Sequence, residues 1–145
     1  MLAEHFPEIQ KKRIKVHFVV KKDYYMAVNW IFFRYNLYID KLALDFSETA
    51  FKGCAAHELA HIVEMSSHNF FARIMHIFFS KEDTAEERTA DYFIVSDKGL
   101  GKELLQFHVE HNKVYKSYKS AEGLTSYEIK RIMKGKSIKI NKESR

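Results

Sequence analysis

The segment that most constrains this chain is "GCAAHELAHIVEM", residues 53–65, in which His57 and His61 stand four apart with Glu58 beside the first. Residues at i and i+4 share a face when the backbone is helical, about one turn apart. The flanking pattern agrees with a helix. Ser47 is a good N-cap, Glu48 falls in the first turn, and Phe51, Cys54, Ala55, Leu59, Ile62 and Val63 recur at helical spacing. Gly53 inside this helix costs about 1 kcal/mol relative to alanine, which implies a neighbour packed close against it.

The polar trio is set among small or apolar residues, Ala55, Ala56, Leu59 and Ala60. Two imidazoles and a carboxylate are expensive to bury in such surroundings without partners. On one helical face the imidazoles of His57 and His61 can converge on one metal ion, and Glu58 can reach a water beside it. That combination suits zinc, which takes neutral imidazole ligands and acidifies water that a nearby carboxylate can deprotonate.

A catalytic zinc site needs a third protein ligand and an open position. One candidate is Glu87 in "AEERTADYF", with Asp91 one helical turn later on the same face. Asp91 could there accept the Nδ1 proton of a ligand histidine and orient its ring. The plainer readings are a capping box for Glu87 with Thr84 and a surface salt bridge for Asp91 with Arg88. Glu86 competes by position but has no aspartate four residues on. The other candidate is His68, seven residues after His61, whose plainer reading is a polar residue in a connection. His76, on an apolar stretch, reads as a core histidine, and His5, His17, His108 and His111 stand isolated.

Elsewhere the pattern predicts an α+β fold: a small antiparallel or mixed sheet from the N-terminal third packed on the histidine-bearing helix, followed by several helices. In "RIKVHFVV", Ile14, Val16, Phe18 and Val20 alternate with Lys15 and His17 as in a half-buried strand. The run "YYMAVNWIFFRYNLYID" predicts two more strands with a turn at Asn36, a helix over 24–35 being the alternative. Further helices are predicted in "FFARIMHIFF" with Asn69 as cap, in "DTAEERTADYFIVSDKG" ending at Gly99, in "GKELLQFHVEHNKVYKSYKS", and in "LTSYEIKRIMKGK" opened by a Thr125–Glu128 capping box. At 145 residues the chain is expected to be one domain, residues 1–145.

"AAHELAH" followed by "EERTAD" resembles the gluzincin class of zinc metallopeptidases, and the chain's size is similar to the minimal gluzincins, or minigluzincins. The resemblance covers roughly residues 14 to 110. It implies His57, His61 and Glu87 as ligands of one Zn2+, Glu58 as general base and acid, and Asp91 as the partner that orients a ligand. It also implies peptide or protein substrates, and a cleft lined by the strand just before the active-site helix, within "NLYID". The residue that stabilises the oxyanion in larger relatives has no clear counterpart; Tyr92, His108, His111 and Tyr115 are candidates. Two alternatives stay open: a zinc hydrolase of another class with His68 as third ligand, and a non-catalytic basic module, nucleic-acid-binding or regulatory, with a vestigial metal site.

The net charge of +5 is uneven, for residues 113–145 carry ten Lys or Arg against three Glu. A basic stretch of this kind suits a solvated face, or nucleic acid. Residues 135–145 form a basic tail, either flexible or paired with the cleft edge. If Ile138 and Ile140 pair as a strand, the chain becomes latent or self-associates. The single cysteine, Cys54, excludes an intrachain disulfide and points to a reducing compartment, hence the cytoplasm. No apolar run reaches the about 20 residues of a spanning helix, and the N-terminus has no secretory pattern.

Overall fold

The β-branched and aromatic residues of the first third form three strands, β1 (Ile14–Val19), β2 (Met26–Ile31) and β3 (Arg34–Asp40). They follow a helical turn, α1 (Leu2–His5), and a short 3-10 turn, Pro7–Ile9. The computed structural model describes residues 2–20, 25–31, 33–67, 84–114 and 123–138. The helix expected in "FFARIMHIFF" with its Asn69 cap, and His68, His76, Tyr115, Ile140 and the Thr84 side chain, lie outside the described residues.

The sheet order is β1-β3-β2, with β1 parallel and β2 antiparallel to β3. The two strands expected between residues 24 and 40 are present, but the turn is not at Asn36. That residue sits within β3, and the chain reverses between the paired Ile31 and Arg34, where Phe33 has φ 62°. Phenylalanine carries no turn signal, so the sequence pattern points to the asparagine instead.

Tyr35, Leu37 and Ile39 of β3 and Met26, Val28 and Trp30 of β2 share the face that packs on the helices. On β1 the pattern holds less well. Ile14 packs into the core, but Val16, Phe18 and Val20 are exposed, Phe18 by 71%. The cause is position: β1 is an edge strand, and the long helix lies against β2 at the opposite edge.

Among the described residues four helices follow: α2 (Glu48–Ser67), α3 (Thr84–Ser96), α4 (Gly101–Val114) and α5 (Ser126–Met133). The fold is therefore α+β, a three-stranded mixed sheet with helices after it. Ser47 caps α2 as expected, its Oγ accepting from the Ala50 amide at 3.3 Å, and its own amide and hydroxyl donate to Glu110 on α4. Small buried residues, Ala50, Ala55, Ala56 and Ala60, let α2 run through the middle of the molecule. The close neighbour implied by Gly53 is the Glu103 carbonyl of α4, which leaves no space for a Cβ.

Gly99, at φ 68°, follows the end of α3, and the Thr125–Glu128 capping box opens α5 as the sequence predicts. Val95, Leu104, Leu124 and Ile129 join α3, α4 and α5 in one apolar cluster. Ile138 packs against that same cluster, so Lys136–Ile138 turns back along α5; residues 139–145 lie outside the described residues.

Candidate metal centre

Two helices supply the site. On α2, His57 and His61 project from one face with ring centroids 4.8 Å apart. Across from them α3 brings Glu87, whose carboxylate lies 2.8 Å from His57 Nε2 and 3.3 Å from His61 Nε2. The two Nε2 atoms are 3.1 Å apart, and one donor atom from each of the three residues falls within 4.8 Å of the others. No other group of three potential ligands is found among the described residues. Glu87, not Glu86, joins the histidines.

Asp91, one turn after Glu87 on α3, is 1% exposed and has no part in a surface salt bridge. Its Oδ1 accepts from His57 Nδ1 at 2.9 Å, and its Oδ2 accepts from the Leu124 amide at 2.7 Å. Arg88, the salt-bridge partner considered for it, pairs instead with Glu128 at 2.6 Å and donates to the Gly123 carbonyl. Gly123 has to be glycine for space, since a Cβ there would run into the Asp91 carboxylate. The Gly123–Leu124 backbone is thus held from both sides, and it supports the carboxylate that orients His57. No side-chain pattern announces this support, because its donor is a backbone amide.

The electrostatics follow from the contacts. Burial opposes a charge on His57, but its bonds to Asp91 and Glu87 outweigh it and hold the imidazole pKa well above 6.5. Nδ1 faces Asp91 and Nε2 faces Glu87, and these two contacts are what favour a proton on the ring. Glu87 is half-buried; burial disfavours its charge, yet the bonds to His57 and His61 win and keep it ionised far below the usual carboxylate range. Glu58 moves the other way, pushed up by burial against the pull of the two histidines.

These residues fit a metal ion by their donor chemistry. Two imidazole nitrogens and a carboxylate oxygen are gathered round one point, and the Asp91 contact leaves Nε2 of His57 as the atom turned to that point. His57 and His61 keep 16% and 19% of their side chains exposed and Glu87 keeps 31%, so a coordination position can stay open to solvent. A two-histidine, one-glutamate set with an open position is a catalytic zinc pattern.

Of the candidates for stabilising an oxyanion, His108 on α4 is buried and lies within electrostatic reach of both Asp91 and His57. Burial lowers its pKa, favouring the neutral ring. His111 stands among Tyr25 and Phe107, and Tyr92 packs on the α3–α5 cluster. One implication of the resemblance, that the strand within "NLYID" also pairs with an extended substrate, needs correcting: β3 is the central strand, bonded on both sides, so it cannot take up a further strand. Among the described residues the free edges belong to β1 and β2, and β2 is the one against α2.

The chain matches no protein-family model, no curated protein and no solved structure.

Proposed function

We propose that this chain is a zinc-dependent peptide hydrolase of the gluzincin type. The observation that carries the reading is the convergence of His57, His61 and Glu87, with Asp91 fixing His57 from behind. His57, His61 and Glu87 would hold the ion. A zinc ion held by these residues would supply Lewis acidity toward a peptide carbonyl and would lower the pKa of a water to about 7.

The chain's own residues do the rest. Glu58, with its carboxyl pushed up by burial, accepts the proton of the attacking water and passes it to the leaving amine. Asp91 keeps the proton of His57 on Nδ1, so Nε2 stays available. An extended peptide adds as a strand to the free edge of β2, where backbone groups supply affinity without demanding one side chain.

The test uses three purified proteins: wild type, Glu58→Gln and Glu87→Ala. Metal content and peptide hydrolysis are measured on each. Glu58→Gln should keep zinc and lose hydrolysis; Glu87→Ala should lose both. Full hydrolysis by Glu58→Gln refutes the proton-transfer role, and full zinc content in Glu87→Ala refutes the ligand set. His68→Ala, by contrast, should retain its zinc.

A further inference from the structure

At the end of the sheet opposite in sequence to the basic tail, Lys12, Arg13, Ile14, Lys15 and Arg34 line a hollow of about 600 Å³. Four of the five are cations, and no Asp or Glu is among the described residues that line it. Three cations elsewhere are neutralised, Lys52 by Glu48, Arg88 by Glu128 and Lys98 by Glu8. Lys12, Arg13, Lys15 and Arg34 have no ion-pair partner among the described residues. The overall balance hides this cluster, because acidic residues elsewhere in residues 1–112 cancel it. Strand pairing assembles it: Tyr35 donates its amide to the Arg13 carbonyl at 2.9 Å, which sets Arg34 beside the start of β1.

Directly next to the hollow is the β2–β3 reversal. Ile31, paired with Arg34, is 43% exposed, and Phe33 is 72% exposed, with its ring edge-on to Trp30. Phe33 also holds φ 62°, a conformation that glycine and asparagine take readily and phenylalanine does not. Neither burial nor turn geometry accounts for a phenylalanine here. Val16, on the same end of β1, adds a further half-exposed aliphatic side chain.

We propose that this hairpin tip and the basic hollow beside it form a docking surface for an anionic lipid bilayer. The tip inserts Ile31 and Phe33 at the level of the headgroups, and the four cations meet the lipid phosphates. A nucleic acid would also meet the cations, but it is gripped by stacking on open aromatic faces. Of the exposed apolar side chains described here, Ile31 and Val16 are aliphatic and offer no face to stack on, and Phe33 projects from the tip with its ring already engaged edge-on with Trp30. The surface is independent of the metal reading and stands or falls separately.

The experiment is flotation of the full chain with vesicles of phosphatidylcholine alone and of phosphatidylcholine with phosphatidylglycerol at roughly 3:1. The single tryptophan, Trp30, lies 5.9 Å from the Phe33 ring, so its emission reports the tip directly. Wild type should bind the anionic vesicles with a change in Trp30 emission, release in salt, and ignore phosphatidylcholine. Phe33→Asn suits the turn conformation and should fold, yet bind at least several-fold more weakly. Arg34→Glu should weaken binding by roughly 10-fold or more, while Lys136→Glu, the same change of net charge on the tail, should not. Each of four results overturns the proposal: no binding to anionic vesicles, wild-type binding by a folded Phe33→Asn, equal losses in Arg34→Glu and Lys136→Glu, or binding to an oligonucleotide in place of vesicles.

Discussion

Asp91 grips His57 with one carboxylate oxygen, 2.9 Å from Nδ1, and uses its other oxygen to hold the backbone at Leu124, 2.7 Å away. A buried carboxylate with both oxygens occupied fixes the tautomer and direction of the ring more firmly than one held on a single side. Asparagine offers one acceptor and one donor, so Asp91→Asn cannot serve both partners. Zinc affinity, read by competition with a chromophoric chelator, should fall by about 10–100-fold. Undiminished affinity would remove Asp91 from the account of the site.

Gly123 touches none of the proposed ligands, yet Gly123→Ala should weaken zinc binding. The added methyl would displace the Asp91 carboxylate, and with it the Leu124 bond. Thermal unfolding of the metal-free variant separates this from general loss of fold: the affinity loss should persist at temperatures where the variant is fully folded.

Gly53 lets α2 approach α4 until the Glu103 carbonyl occupies the place of a side chain. Because both partners there are backbone, Gly53→Ala cannot be relieved by a rotamer change. A loss of about 1–3 kcal/mol or more is expected, seen as a lower urea midpoint. An unchanged midpoint would mean that the two helices are farther apart than described.

Glu128 is held down to a pKa of about 2, chiefly by the Arg88 guanidinium and the bonds at Thr125. Its folded value is below its ordinary 4.5, so its contribution is present above 4.5 and disappears as the pH falls from there to about 2. Both partners are 23% exposed, and solvent screening limits the effect to about 1 kcal/mol. Glu128→Gln keeps the size and capping ability of the side chain. The difference in melting temperature between it and wild type should shrink through that window and vanish at its acid end.

Much of the site was legible because one helix carries its own ruler. The spacing of His57 to His61 and of Glu87 to Asp91 puts each pair on one face, and the structure sets the two faces together. Gly53 and the Thr125 box were equally readable, being local signals with local causes. The turn at Phe33 was not, since its residue type argues against it. The exposure of Val16 and Phe18 depends on strand order, which alternation alone does not encode. The roles of Leu124 and Gly123 escaped for a third reason: an amide and a missing side chain leave no mark on a pattern of side chains.

The Leu124 bond also makes one backbone proton a remote witness to the site. That amide exchanges with solvent only when it lets go of Asp91, and Asp91 is the residue that holds His57. A ligand that binds only the closed arrangement stabilises it by mass action, lengthening the lifetime of that proton against deuterium. The start of α5, which offers no ligand, therefore keeps a record of how often the histidine pair is filled.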